Sequence, residues 1–214
     1  MAIIPITTIH TIHKLQNASK VTHLYLYGDI VADAMYDNDV SPSRVKEMLD
    51  KASDEIVVHI SSYGGDAFAG IAIYNLLKDS GKKITTQIDS IGASSASIIA
   101  MAGEQIVFST GAQIMIHNPS TMCWGDKSDF EKTIASLDKC KSAIIEIYNT
   151  HAVEGVDYSA LMSAETWANG ETAKTIFANV VTKEMQGKEA ITNRFQNRQQ
   201  QFNQILTNQN QSQQ

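Results

Sequence analysis

Two stretches of this chain share one construction, and it limits the fold more than any other feature. Residues 55–60 are a continuous, largely β-branched run. The sharp turn Ser61-Ser62-Tyr63-Gly64-Gly65-Asp66 follows. Phe68, Ile71, Ala72, Asn75 and Leu76 then recur at the three-and-four spacing of one helix face, and Gly81 stops the pattern. Residues 84–88 repeat the plan as a second apolar strand, followed by Ser90-Ile91-Gly92-Ala93-Ser94-Ser95-Ala96-Ser97-Ile98-Ile99-Ala100-Met101-Ala102-Gly103. There small residues crowd a tight turn, and a buried helix over 94–102 is expected. A strand fed through such a turn into a helix, and on into another strand, is a βαβ unit. Repeated units build an α/β fold with a largely parallel sheet covered by helices.

The remaining elements extend this pattern. A strand ends in the glycine turn at Gly28, and Ser41-Pro42 opens a helix through 51, with serine as cap and proline in the first turn. Strands are expected over 105–108 and 113–117. The Thr110-Gly111 link between them is short enough for one to run antiparallel. One long helix spans 126–151, shorter helices 158–162 and 170–177, and a last strand 178–182.

With 214 residues, 43% of them hydrophobic, the chain can bury one sizeable core, so a single domain over 21–186 is expected. Residues 1–20 are weakly patterned, and from 187 to 214 Gln and Asn replace apolar residues, as in a disordered tail. The net charge of −6, without a basic run, argues against nucleic acid as a partner. No apolar run reaches membrane-spanning length, and Met1-Ala2-Ile3-Ile4-Pro5 lacks a basic signal-peptide start, so a cytoplasmic protein with Cys123 and Cys140 as free thiols is expected. His10 and His13 stand three apart, but no Cys or acidic ligand accompanies them, so no metal site is expected.

In parallel α/β sheets functional groups gather at the carboxyl ends of the strands. Gly64-Gly65 follows one strand, Ser94 the next, and His117, within Met115-Ile116-His117-Asn118-Pro119, ends a third. A serine hydroxyl becomes nucleophilic when a base takes its proton, and histidine titrates in the right range. A carboxylate on the far ring nitrogen would orient that base. An oxyanion needs backbone N–H donors, and Gly65 and Ser95 stand where helices begin and such donors are unpaired. Each feature alone has a plain structural explanation: Ser94 as a helix cap, Ser95 and Ser97 as packing or capping residues, His117 as a hydrogen-bonded strand end. Their order along the chain is what points to chemistry.

These residues resemble the proteolytic subunit of the Clp serine proteases, over about residues 24–182. Ile60 to Asp66 resembles the family's strand, Ser-x-Gly-Gly, helix turn, with Tyr63 where the family has proline. The segment from Gly92 to Gly103 is similar to the branch that phages and prophages encode beside their capsid genes, and Met115 to Pro119 to the base segment. Met162-Ser163-Ala164-Glu165-Thr166-Trp167-Ala168-Asn169-Gly170-Glu171-Thr172-Ala173 falls on the segment holding the acid.

The resemblance implies a ClpP/crotonase-like spiral of ββα units, with the long helix mediating assembly into heptameric rings or a tetradecamer. It implies an ATP-dependent Clp-type serine endopeptidase that needs no cofactor. Ser94 would be the nucleophile, His117 the base and Glu165 the acid, with Asp157 as the alternative, and Gly65 and Ser95 would form the oxyanion hole. The implied task is phage prohead maturation on capsid or scaffold protein, in the host cytoplasm or inside the prohead. Three alternatives stand: a degradative subunit working with an AAA+ unfoldase, a crotonase-like acyl-CoA enzyme, and an inactive ring scaffold.

Overall fold

The computed structural model describes residues 21–183. The expectations for residues 1–20 and for the tail at 187–214 lie outside them. The chain alternates as expected: β1 (Val21–Tyr27), α1 (Pro42–Asp50), β2 (Glu55–Ser62), α2 (Ala67–Asp79), β3 (Lys83–Ala93), α3 (Ser95–Ala100), β4 (Gln105–Phe108) and β5 (Gln113–Ile116). Then come α4 (Lys127–Tyr148), a 3-10 turn (Asn149–His151), α5 (Tyr158–Ser163), β6 (Thr166–Asn169), α6 (Gly170–Ala173) and β7 (Val180–Thr182).

The sheet runs β1-β2-β3-β4-β7, with β5 also on β3 and β6 on β5. Among the described strands only β6 is antiparallel to its neighbour. Strand β3 is longer than 84–88, because Ser90 to Ala93, read from sequence as the approach to a helix, continues the strand. Its first part pairs with β4 (Thr85 to Ile88) and its last part with β5 (Ile91 to Ala93). Both are parallel, so the antiparallel alternative at Thr110-Gly111 does not occur. Ser109 N donates to Ile88 O and Ala112 N to Ser109 O, so the link steps along β3 instead of reversing.

One face of the sheet makes the core. Val58, Ile88 and Ile106 point into it, beside Ile73 and Leu77 of α2, all at 0% exposure. Each such side chain contributes about 1.5–3 kcal/mol on burial. Ser41 accepts from Arg44 N with Pro42 in the first turn of α1, as the sequence dictates.

The other face carries a polar network across three strands. His23 Nδ1 meets His59 Nε2 at 2.9 Å, and His59 Nδ1 donates to Asp89 Oδ2 at 2.7 Å. Tyr27, Gln87 and Ser109 also donate to the Asp89 carboxylate. Tyr25 stacks on His59 with ring centroids 4.5 Å apart. Burial alone would raise the Asp89 carboxyl, but the hydrogen bonds from His59, Tyr27 and Gln87 together outweigh it and hold the group well below the usual carboxylate range.

Helix α4 starts later and ends earlier than 126–151. Asp126 is its cap, in a reciprocal capping box with Asp129, and the last turn tightens into the 3-10 segment. Its buried residues, Cys140, Ile144, Ile147 and Tyr148, all lie in its second half. The first half leaves Phe130 and Ile134 exposed, and the preceding loop exposes Met122 and Trp124 almost fully. Thr133 Oγ1 contacts Cys123 Sγ at 3.1 Å, which lays that loop against the helix. The helix expected over 170–177 is only α6, since Thr175 N and Ile176 N bond three residues back and the chain leaves helical geometry. Strand β7 accordingly begins at Val180, after Asn179 at φ 59°. Among the described residues no helix is long and apolar enough to cross a membrane.

Candidate active site

Gly64 and Gly65 close the turn after β2 with φ of 100° and 141°, a region that glycine alone enters readily. Space makes the same demand. A Cβ on Gly64 would stand 2.7 Å from both Ala93 O and Ser94 Cβ and 3.0 Å from Ser95 N, and one on Gly65 would stand 2.1 Å from Ile30 O. The turn therefore lies directly against the start of α3. It is pinned from β1's side, because Ile30 N donates to Gly64 O and Asp66 N donates to Ile30 O. That pair of bonds leaves the intervening Gly65 N–H facing away from Ile30.

Ser94 joins β3 to α3 at φ 55° and ψ −125°. A non-glycine residue in such a region costs about 1–3 kcal/mol and persists only where its surroundings fix it. Ser94 N donates to Met115 O at 2.9 Å, and Ser94 O accepts from Ser97 N at 2.9 Å. Although Ser94 stands at the cap position of α3, its side chain makes no capping bond. Its Oγ instead lies 2.8 Å from His117 Nε2. The helix-cap explanation for this serine is thereby removed. Ser95, as the first residue of α3, has no intrahelical acceptor for its N–H.

His117 follows β5, half-buried, and is placed by the parallel pairing of β5 with the end of β3. The next residue ties the loop to α5: Asn118 N donates to Met162 O and Asn118 Nδ2 to Ser163 Oγ.

Strand β6 is absent from the sequence reading, which took this region only as the segment bearing the acid. The strand pairs antiparallel with β5, Met115 with Trp167 and Ile116 with Thr166, so Glu165, just before β6, and His117, just after β5, flank the same end of this ladder. Glu165 is exposed, with φ 50°, and its Oε1 accepts from Trp167 Nε1 at 3.3 Å. Among the described residues no carboxylate bonds to His117 Nδ1. Asp157, the alternative acid, is the cap of α5, accepting from Ala160 N at 3.0 Å.

The other histidines divide. His10 and His13 lie outside the described residues. His23 and His59 belong to the Asp89 network, while His151 is buried with Nε2 3.1 Å from Met101 O. Sequence reasoning left His59 without a role. The period-two pattern was the available signal, since His59, Gln87 and Asp89 occupy the sheet face opposite the core.

One edge of the sheet thus gathers a strained serine, a histidine in hydrogen-bond contact with it, the Ser95 N–H at the start of α3 and the glycine turn before α2, the makings of a candidate hydrolytic site. The chain belongs to the Clp protease family, whose profile matches residues 12–184. It is 26% identical over 153 residues to the ATP-dependent Clp protease proteolytic subunit of Bacteroides fragilis, covering 70% of this chain and 69% of that protein. The same identity and share of this chain hold for the subunit of Bacteroides thetaiotaomicron, of which 65% is covered. The family is one of peptidases, and a mixed α/β chain with a parallel sheet and a long helix agrees with its fold. ATP dependence, expected of the enzyme itself, is not supported: the family matched is that of the proteolytic subunit, which is not itself an ATPase.

Proposed function

We propose that the protein is a serine endopeptidase working through an acyl-enzyme. The observation that carries this reading is the 2.8 Å contact of Ser94 Oγ with His117 Nε2, beside a glycine turn that abuts Ser95 N. His117 takes the Ser94 proton as Oγ attacks the peptide carbonyl, then gives it to the leaving amine. The N–H groups of Gly65 and Ser95 receive the negative charge on the carbonyl oxygen. Water, deprotonated by the same histidine, releases the acyl group. Glu165 is assigned to orient His117 from the likeness of its segment to the one holding the family's acid and from its place beside the end of the β5–β6 ladder; to do so its carboxylate turns from Trp167 Nε1 toward the histidine. A crotonase-like role has no use for the Ser–His contact, and a silent scaffold would not need it.

The assembly proposed is a ring of identical chains. Its support is the exposed apolar set of Met122, Trp124, Phe130 and Ile134 along the loop and the free half of α4. The substrate proposed is a capsid or scaffold polypeptide in a phage prohead, from the likeness of Gly92 to Gly103 to the phage branch. A second reading has its own support: the relatives are named as subunits of an ATP-dependent protease, which favours a degradative role beside an ATPase.

Purified chain incubated with an unfolded model protein and with capsid precursor tests these readings. The endopeptidase reading predicts fragments that disappear with Ser94→Ala. Limited cuts in capsid precursor without ATP favour the maturation role. Degradation that needs an added ATPase favours the other. No cleavage of either, in the assembled state, contradicts both.

A further inference from the structure

The mechanism leaves unused a pair of buried hydroxyls next to the nucleophile. Ser97 and Tyr148 are 0% and 1% exposed, yet Ser97 Oγ lies 2.5 Å from Ser94 O and 2.8 Å from Tyr148 Oη. The donors are determined by elimination. Ser94 O is a carbonyl and only accepts, so Ser97 spends its single proton there. Ser97 Oγ must then accept from the Tyr148 hydroxyl, which leaves each hydroxyl in the chain satisfied. Burial, only partly offset by the Ser97 contact, pushes the Tyr148 phenol far above its usual value, so it stays a donor.

The carbonyl that ends this chain shares a peptide unit with the Ser95 N–H. That peptide is trans, so its C=O and N–H point in opposite directions. A donor on the oxygen withdraws electron density from the nitrogen and makes the N–H a stronger donor, as in any aligned hydrogen-bond chain. It also fixes the plane in which the N–H is aimed, at a residue whose backbone is strained.

The geometry points to Ser97 and Tyr148 as positioning residues for the oxyanion hole: the relay Tyr148 Oη–H to Ser97 Oγ–H to the Ser94–Ser95 peptide aims and strengthens the Ser95 N–H. This rests on the serine-peptidase reading above. It adds that α4, through its last residue, bears directly on the nucleophile's peptide. The relay makes its contribution when charge develops on the substrate oxygen, so it acts on the transition state more than on bound substrate.

The test uses Ser97→Ala, Tyr148→Phe and the double variant in the assembled full chain. Each single variant is expected to lower kcat by roughly five- to thirtyfold with KM nearly unchanged, short of the hundred- to thousandfold loss of a whole donor. The double variant should lose no more than Ser97→Ala alone, because Tyr148 acts only through Ser97. A second readout is independent of turnover. The sequence has two Ser–Ser pairs, Ser61-Ser62 and Ser94-Ser95, so serine labelled with carbonyl 13C and amide 15N reports only the Ser62 and Ser95 amides. The Ser95 amide proton should move upfield in both single variants while that of Ser62 stays. Additive kinetic losses, a rise in KM instead of a fall in kcat, or an unmoved Ser95 amide would overturn the relay. A moved amide in a chain that cleaves nothing would keep the relay and reject the peptidase reading.

Discussion

Ser94 Oγ and His117 Nε2 stand 2.8 Å apart because the end of β3, Ile91 to Ala93, pairs in parallel with Gln113 to Met115 of β5. One strand delivers the serine and its neighbour delivers the histidine, at the same edge of the sheet. The contact thus depends on backbone register, and changes at the site divide into those that remove a group and those that disturb the register.

Removing the base is the simplest of the first kind. His117→Ala is expected to lower kcat for peptide hydrolysis by roughly a thousandfold or more, leaving KM within a few-fold. Steady-state kinetics on a fluorogenic peptide, with circular dichroism confirming the fold, checks this.

The acid is decided by a pair of variants. Glu165→Gln keeps the shape and loses the charge, and an activity loss on the order of 10²–10⁴-fold is expected. Asp157→Asn should leave activity within about twofold and stability unchanged, because asparagine caps a helix as well as aspartate does. Loss of activity only in Asp157→Asn would reverse the assignment.

Gly64→Ala is of the second kind. The backbone conformation alone costs at least about 1–2 kcal/mol for a residue with a Cβ. The added methyl also meets Ala93 O and Ser94 Cβ at 2.7 Å, so Ser94 must shift. Denaturant unfolding should show the loss of stability, and activity should fall at least tenfold even below the unfolding midpoint.

The Asp89 network gives a pH signature away from the site. A carboxyl held below its unfolded value contributes stability above that value and loses it as pH falls through the folded one. The stability difference between wild type and Asp89→Asn should therefore be full above about pH 5 and shrink progressively below about pH 4. Urea unfolding of both proteins across that range measures it. A difference that grew on acidification would contradict the network's charge assignment.

Much of this was legible in the chain. The repeated run, small-residue turn and helix defined the parallel sheet, because the period of the apolar residues changes where the structure does. Ser94 and His117 were legible because each ends a strand. Ser90 to Ala93 misled, since small residues suit a turn as well as a strand packed tightly on its neighbours, and only the pairing with β5 decides. Strand β6 was missed because four residues, Thr166 to Asn169, carry too little pattern, and their edge position depends on β5. Ser97 was read as packing because nothing local announces Tyr148, 51 positions away. The His23, His59 and Asp89 network is likewise a product of register across three strands.

The central claim is that Ser94 is the nucleophile, and a fluorophosphonate tests it most directly. Intact-mass analysis of the assembled protein after exposure should show one adduct per chain, mapped by peptide sequencing to Ser94 and absent from Ser94→Ala and His117→Ala. An unlabelled wild type, or equal labelling of Ser94→Ala, would contradict the account.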